Sequence, residues 1–576
     1  MNTPSDSGGG GMGFKGQLAS ALVLSVALKL VTFALTTVLT RQLTPGENGV
    51  SFSAQLYINT VLFLARECVR SVNARHNLRD KMSSGEAVLQ VMNCAATSLP
   101  VGVAVMALME VLSWCGIYVF PSLTAYSHVN GATSLNGISG GVSAGSTAMG
   151  LPELLLALSV VVALTAEPCI ALVQSFDQVR IIVASEFWAQ LVRLVVTLAF
   201  VKACGGLGGD PWTARLCFAV GFLAHAIMTV VYFVRLWNSS SEGAVLQQAR
   251  KYAATARWGT ALQSSLSWRK RVPWCFLSWR AVRVEAAREM LLLCQFFRES
   301  CLRLVLTEGE RFALAAFGSA AAMGHYDLVA NLGSLIARLI FRVWESACFV
   351  KWSRDAARGS PKEAAALLFT MLRVASYFGA AVLLLGPPLA EGFLLRIFSH
   401  RWASHEAVQA LQLYCYLLPL LGWNGLLDAF VRATAAPPTL RLTQRVMVAQ
   451  AAMYIIACFV VLRLRWIDDA VAGLIVVNGT SMVLRCVASV SVVLMHPIAS
   501  HMPGDKVALQ LKLWDFGAVC DARIAATWAA LFACTRCASS GAAAAAAAVC
   551  AAPVFATAVV RWDPEIRLVL WSIVRR

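Results

Sequence analysis

Charged side chains within long apolar stretches are the residues of this sequence most able to do chemistry. Residues 307–311 place two carboxylates, a glycine and a guanidinium side by side. Hydrocarbon does not tolerate these groups on a lipid-facing surface, so charges within a membrane span must line a hydrated cavity or pair with one another. The basic residues within apolar stretches are Lys29, Arg193, Arg298, Arg303, Arg311, Arg338, Arg342, Arg373, Arg485 and Arg523. The acidic ones are Glu67, Glu308, Glu310, Asp327 and Glu345.

This mixture of charges leaves two interpretations open. One is an ion-pair network that holds membrane helices together, and the other is a hydrated cavity with a net positive charge. Such a cavity suits an anionic headgroup, because the planar guanidinium binds two phosphate oxygens at once and lysine adds a point charge. Amide side chains such as Asn59 and Asn331, together with the carboxylates, suit sugar hydroxyls.

The motifs indicate binding and movement rather than catalysis. The sequence contains no phosphate-binding loop, zinc-peptidase motif, nucleophile elbow or dinucleotide fingerprint. Cys534 and Cys537 have the spacing of a metal or redox pair, but no second pair or histidine accompanies them. We therefore predict that the protein is not an enzyme and uses no metal or cofactor.

Long apolar stretches are the elements that must position these side chains. Of the 576 residues, 58% are hydrophobic and only 14% are charged, and the mean hydropathy is +0.66. The apolar stretches are roughly 20 residues long, as a helix needs to cross about 30 Å of hydrocarbon. We predict an all-α polytopic membrane protein with about 14 transmembrane helices. The predicted spans begin near Leu18, Val50, Val88, Leu151, Glu186, Trp212, Phe296, Tyr326, Ala364, Ala407, Arg441, Asp468, Phe516 and Gly541.

The distribution of basic residues predicts the topology. The formal net charge is +17, and no polar domain carries it, so nucleic acid is not an expected partner. Basic residues collect in the connections that are cytosolic if the N-terminus is cytosolic. On the opposite side, residues 122–150 contain no Lys, Arg, Asp or Glu. We therefore predict that both termini are cytosolic.

A long basic connection, residues 238–290, divides the chain in two. Trp258, Trp268, Trp274 and Trp279 alternate there with arginine and lysine, which predicts an amphipathic helix on the cytosolic membrane face.

Residues 33–67 resemble residues 312–345 in the same orientation, and parallel repeats are typical of transporters with a substrate site between the halves. The predicted regions are a disordered N-terminus (1–17), a six-helix lobe (18–237), the connection (238–290), a second six-helix lobe (291–498) and two extra helices with a cytosolic tail (499–576).

Longer motifs carry a resemblance to a known family. LTEGER at residues 306–311, YDLVANLGSLIARLIF at 326–341, FLARE at 63–67 and AEP at 166–168 resemble the eukaryotic Man5GlcNAc2-PP-dolichol translocation protein family. That family is similar to the multidrug/oligosaccharidyl-lipid/polysaccharide (MOP) exporter superfamily, which includes bacterial lipid II flippases. The resemblance implies two lobes around a V-shaped cavity, two extra C-terminal helices and alternating access. It also implies a place in the endoplasmic reticulum membrane and a role in N-glycan precursor assembly.

The first hypothesis is therefore a flippase without ATP hydrolysis that moves Man5GlcNAc2-PP-dolichol from the cytosolic to the lumenal leaflet. Its predicted diphosphate ligands are Lys29, Arg66, Arg303 and Arg338. The side chains predicted to contact sugars or to gate the cavity are Glu67, Glu308, Glu310, Arg311, Asp327, Asn331 and Glu345. The expected partners are this glycolipid, membrane lipids and enzymes of the same pathway.

Three alternatives stay open. A non-transporting accessory protein of the pathway would bind the glycolipid with the same charges. A membrane glycosyltransferase would need an acidic residue on an outward loop, where Glu47 is a poor candidate. A cation-coupled drug exporter would share the fold, although the long central motif and the cationic cavity argue against it.

Overall fold

The structure is a computed structural model, and it describes residues 30–75, 85–115, 122–123, 150–175, 179–207, 210–239, 250–251, 273–336, 340–357, 361–435, 437–464, 469–495, 521–538, 541–564 and 567. These residues are 92% helical and contain no strand. Nine helical segments among them, two of which each comprise two of the helices numbered below, are long and apolar enough to cross a membrane. The predicted all-α polytopic membrane fold is confirmed, whereas the count of about 14 spans stays a prediction.

The helices are numbered here in chain order. They are α1 Leu30–Thr40, α2 Pro45–Arg75, α3 Gly85–Ala96, α4 Ser98–Trp114, α5 Leu151–Thr165, α6 Glu167–Ser175, α7 Val179–Ala203, α8 Pro211–Asn238, α9 Trp279–Arg288, α10 Met290–Phe317, α11 Ala320–Ile336, α12 Arg342–Ala357, α13 Pro361–Ile397, α14 His405–Thr434, α15 Pro437–Leu464, α16 Ala470–Met495, α17 Ala522–Arg536 and α18 Gly541–Trp562. Short 3₁₀ turns, Pro273–Phe276 and His400–Trp402, precede α9 and α14.

The start of α2 is fixed by a capping box. The backbone N–H of Thr44 donates to the Glu47 carboxylate at 2.7 Å, and the Glu47 N–H lies 3.3 Å from the Thr44 hydroxyl. This reciprocal pair satisfies backbone donors that the first turn leaves open. The helix therefore begins at Pro45, before the predicted span start near Val50. Glu47, the weak candidate for glycosyl transfer, is buried as a helix cap.

A proline breaks one membrane span into α5 and α6. The two helices cover one apolar span, residues 151–175, and separate at Ala166. Pro168 has no N–H to complete the helical hydrogen bond to Leu164, so the helix opens there. The N–H of Cys169 bonds the Ala166 carbonyl at 3.1 Å. The Thr165 carbonyl accepts instead from Trp274 Nε1 at 2.7 Å. The break leaves the next residue, Glu167, at the start of α6.

The helices pack into two compact units. Of the described residues, those within 30–43, 54–123 and 150–304 form unit 1, and those within 44–53 and 305–567 form unit 2. In unit 1, α8 packs along α5 and α7, and α3 packs along α6. In unit 2, α14 packs along α13 and α16. The predicted boundaries of the two lobes stay predictions.

The last two described helices are fastened to α13 by polar contacts. Tyr377 donates from its hydroxyl to Asp563 at 2.9 Å, and Arg373 lies 3.5 Å from the same buried carboxylate. Trp528 Nε1 donates to the Ala380 carbonyl at 2.8 Å. Arg373, one of the predicted intramembrane cations, therefore has a carboxylate partner at the end of α18.

Candidate functional site

A fully buried carboxylate lies between two arginines in unit 1. Glu167 has no exposed side-chain surface. Arg70 contacts it with both arms of its fork, with Nε 2.5 Å from Oε1 and Nη2 3.1 Å from Oε2. Arg66 Nε lies 3.0 Å from Oε2, and its Nη2 donates to the Ala163 carbonyl at 2.9 Å. Two positive charges therefore meet one negative charge.

The local sequence explains this arrangement. Arg66 and Arg70 are four residues apart on α2, so both side chains project from one helix face. The break at Ala166 presents Glu167 to that face. The two arginines keep 20% and 31% of their side-chain surface exposed. Their remaining N–H groups can therefore reach a further acceptor, and the excess positive charge suits a phosphate.

Glu67 takes part in a different cluster from its neighbour Arg66, because consecutive helical residues project about 100° apart. Arg303 of α10 lies between Glu67, at 2.6 Å, and Glu299, at 2.7 Å. All three side chains are at least 30% exposed. This cluster has one more carboxylate than guanidinium, in contrast to the cluster at Glu167.

In unit 2, the charged turn of α10 is tied to α15. Arg311 Nη1 lies 3.0 Å from Glu308 Oε2, three residues earlier on α10. Tyr454 of α15 donates its hydroxyl to the Glu310 carboxylate. The motif at residues 306–311 therefore supplies one ion pair within its helix and one carboxylate that accepts from a phenol of α15.

The first turn of α2 packs closely on α11, also within unit 2. Asn48 Nδ2 donates to Asp327 at 3.2 Å and to the Gly324 carbonyl at 3.3 Å. A methyl group on Gly324 would overlap the carbonyl oxygen of Pro45. Glycine thus allows the two backbones to approach closely enough for the Asn48–Asp327 hydrogen bond.

Gly324→Ala tests this close approach. We expect the added methyl to force the two helices apart and to lower the free energy of unfolding by about 1–3 kcal/mol. Thermal unfolding in detergent measures the loss. Gly392→Ala is the matched control, because Gly392 lies in α13 with nothing within 4 Å of an added Cβ and alanine favours a helix. If both variants unfold at the same temperature, α2 and α11 do not pack tightly at Gly324, and the interpretation is wrong.

The other predicted site residues are placed as follows. Asn331 lies half-buried on α11, and Glu345 lies half-buried on α12 with its carboxylate against Gly425 of α14. Lys29 and Arg338 lie outside the described residues. The structure thus places Arg66, Glu67 and Arg303 in unit 1 and the other described members of the predicted set in unit 2. Their roles in binding stay predictions.

Several partners were missed by sequence reasoning. Arg70 was not among the predicted site residues, and Glu167 was noted only as part of a family motif. The spacing of Arg66 and Arg70 was a usable signal, because it puts two guanidiniums on one helix face. No comparable signal marked Asn48 or Tyr454, since their contacts join residues far apart in the chain.

The described part of the chain shows no group of three His, Cys, Asp or Glu side chains that could hold a metal ion. Cys534 and Cys537 are exposed, free thiols. The two clusters of unit 1 and the contacts of α10 offer guanidinium, carboxylate and phenol groups. These groups can form hydrogen bonds and ion pairs with a polar, charged molecule.

Comparison with known proteins assigns the chain to a family. The family model described as Rft protein matches residues 16–143 and 148–559. The chain belongs to the Rft protein family. This membership confirms the resemblance predicted from the motifs at residues 306–311 and 326–341.

Relatives of this Rft family member are similar over most of their length. The Man(5)GlcNAc(2)-PP-dolichol translocation protein RFT1 of Kluyveromyces lactis is 23% identical over 485 residues, which cover 79% of each chain. The protein of the same name from Xenopus tropicalis is 25% identical over 439 residues, covering 73% of this chain and 71% of the relative. The solved structure of lipid II flippase MurJ in an inward closed conformation aligns with a TM-score of 0.60 at 9% identity, covering 95% of this chain and 99% of that one. That likeness supports the polytopic helical fold.

Proposed function

We propose that this Rft family member moves Man5GlcNAc2-PP-dolichol from the cytosolic to the lumenal leaflet of the endoplasmic reticulum membrane for protein N-glycosylation. The observation that carries the proposal is that relatives matched over most of both chains are named for the translocation of this glycolipid. In this proposal both termini are cytosolic, the protein is not an enzyme, and alternating access moves the headgroup.

The physical need for such a protein follows from the substrate. A diphosphate and many sugar hydroxyls cannot enter hydrocarbon without losing their hydrogen bonds to water. The polyprenyl chain, by contrast, is apolar and can stay in lipid throughout. The protein therefore has to provide polar partners for the headgroup alone.

The described clusters support a division of roles. The Arg66–Arg70 pair has the excess positive charge and the free N–H groups that a diphosphate needs. Glu308, Glu310, Asp327 and Asn331 offer acceptors and an amide for sugar hydroxyls. Arg303, between two carboxylates, would become a phosphate ligand only after leaving one of them. Lys29 and Arg338 keep their predicted roles as further phosphate ligands.

The test is movement of the glycolipid by the purified full-length chain in vesicles. We expect Man5GlcNAc2-PP-dolichol to change leaflets faster in vesicles that contain the protein than in empty vesicles of the same lipids. Equal rates in the two kinds of vesicle, with the protein folded and inserted, would reject translocation.

A second candidate function is a non-transporting accessory role in the same pathway. It is favoured by the pairing of several site charges with protein groups, as in a static network: Arg66 with Glu167, Arg303 with Glu67, and Arg311 with Glu308. This role predicts glycolipid binding without faster movement. It also predicts that cells still need the charged residues for N-glycosylation.

A further inference from the structure

Helix α9 presents an exposed face that combines arginine with large apolar side chains. Trp279 and Val284 are 61% and 67% exposed, and Arg280 and Arg283 are exposed beside them. Val282, on the opposite face, is buried. Among the described residues, neither Arg280 nor Arg283 has an ion pair. This face is therefore charged, partly apolar and not covered by the described part of the chain.

The inner face of α9 is firmly attached to unit 1. Gln90 of α3 donates to Glu285 at 3.0 Å. The turn that precedes α9 contributes Phe276, which is fully buried and packs edge-to-face on Trp237 with ring centroids 5.4 Å apart. Because these contacts attach the helix to unit 1, its exposed arginines project from a fixed helix.

The neighbours of α9 place it at the membrane surface. Trp237, beneath the preceding turn, belongs to the last turn of the membrane-spanning helix α8. Gln90 lies near the start of the candidate span that begins at Glu86. A helix packed on the ends of two spans lies where headgroups are, and exposed tryptophan favours that same depth.

Further basic residues lie at this end of unit 1. Arg250 donates to the Trp237 carbonyl at 3.1 Å and to Asn238 at 3.3 Å, so it also lies at the end of α8. Arg288 closes α9 and is 66% exposed. The surface around Trp279 is therefore rich in positive charge.

We propose that the outer face of α9 binds anionic phospholipid headgroups of the leaflet that it borders. Trp279 and Val284 enter the boundary between headgroups and acyl chains, and Arg280 and Arg283 contact the negatively charged headgroups. Charge selects the partner, because a zwitterionic headgroup offers no net attraction to this group of arginines. This site is separate from the Glu167 cluster and does not depend on the proposed translocation.

The structure also connects this surface with the buried cluster. The turn before α9 contains Trp274, whose indole N–H bonds the Thr165 carbonyl at the break in front of Glu167. A headgroup on α9 would therefore bind next to the turn that contains Trp274. That turn contacts Thr165, which lies two residues before Glu167, the carboxylate that pairs with Arg66 and Arg70. The turn that contains Trp274 therefore lies directly before α9 and contacts the backbone next to the Glu167 cluster.

The experiment measures lipid binding to the purified full chain in neutral detergent by native mass spectrometry. Phosphatidylserine and phosphatidylcholine are titrated separately. We expect Arg280→Gln/Arg283→Gln to weaken phosphatidylserine binding by about fivefold for each arginine, the usual effect of one basic residue at an anionic surface. Binding of phosphatidylcholine should not change, and Arg280→Lys/Arg283→Lys should retain phosphatidylserine.

The matched control is Arg396→Gln/Arg401→Gln, which removes two exposed arginines of unit 2. This control should bind phosphatidylserine as the unaltered chain does. The proposal is overturned if the glutamine variant of α9 keeps full phosphatidylserine affinity, if the control loses as much, or if phosphatidylcholine binding falls in parallel.

Discussion

Replacing Glu167 with glutamine is expected to lower the free energy of unfolding by about 3 kcal/mol, because it leaves two guanidiniums without their carboxylate. Glu167 is completely buried between Arg66 and Arg70. Glutamine has the same shape but no charge, so the loss is electrostatic rather than a packing defect. Thermal unfolding of the purified protein in detergent measures the effect as a lower midpoint temperature.

Glu299→Gln is the matched control for this prediction. Glu299 pairs with Arg303 four residues later, but its side chain is 56% exposed. Exposed pairs of this kind contribute about 0.3–0.5 kcal/mol, so the midpoint should hardly move. An equally small change for Glu167→Gln would show that the buried carboxylate does not hold the arginines together.

Replacing Arg70 with glutamine is expected to reduce glycolipid translocation at least tenfold while leaving the fold intact. The variant keeps a balanced Arg66–Glu167 pair, so no buried charge is left uncompensated. It removes the excess positive charge that the diphosphate would use, and a hydrogen bond to a charged group contributes about 1.5–3 kcal/mol. Translocation in vesicles and thermal unfolding are measured on the same preparation.

Arg441→Gln serves as the control for Arg70, because Arg441 is an exposed arginine of α15. Its translocation rate should match that of the unaltered chain. If Arg70→Gln moves the glycolipid at the full rate, the cluster at Glu167 only stabilises the fold, and the phosphate ligands lie elsewhere.

The fold class could be predicted from the sequence because hydrocarbon imposes simple rules. A span must be long, apolar and helical, so the stretches beginning near Leu151, Trp212 and Gly541 were recognisable without any tertiary information. Helix ends were less predictable. The start of α2 depends on the capping box of Thr44 and Glu47, which a window of average hydropathy does not detect.

The candidate site was only partly predictable, for a physical reason. The sequence identified charges that lipid would reject, and these included Glu67 and Arg303. It did not show which charges would meet, because the described helices α3, α4 and α5 lie between Arg66 and Glu167 in the chain, and the two residues come together only through packing. Adjacent residues such as Arg66 and Glu67 were grouped by the sequence, whereas the helix directs them to different partners.

The amphipathic segment shows the same limit. The tryptophan and arginine content of residues 238–290 predicted a helix at the membrane face. The described part of this segment contains helix α9, and its location at the membrane face stays a proposal. Which arginines are exposed depends on the burial of Val282 and on the hydrogen bond between Gln90 and Glu285. Composition does not reveal those contacts.

The most direct test of the central claim compares two substrates that differ only in their phosphate linkage. Translocation of a diphosphate-linked and of a monophosphate-linked polyprenyl oligosaccharide is measured in vesicles containing either the unaltered chain or Arg70→Gln. If the arginines at Glu167 bind the diphosphate, the unaltered chain moves the diphosphate-linked substrate faster, and the variant loses that preference. Equal preference in both proteins would contradict the claim that this cluster recognises the glycolipid.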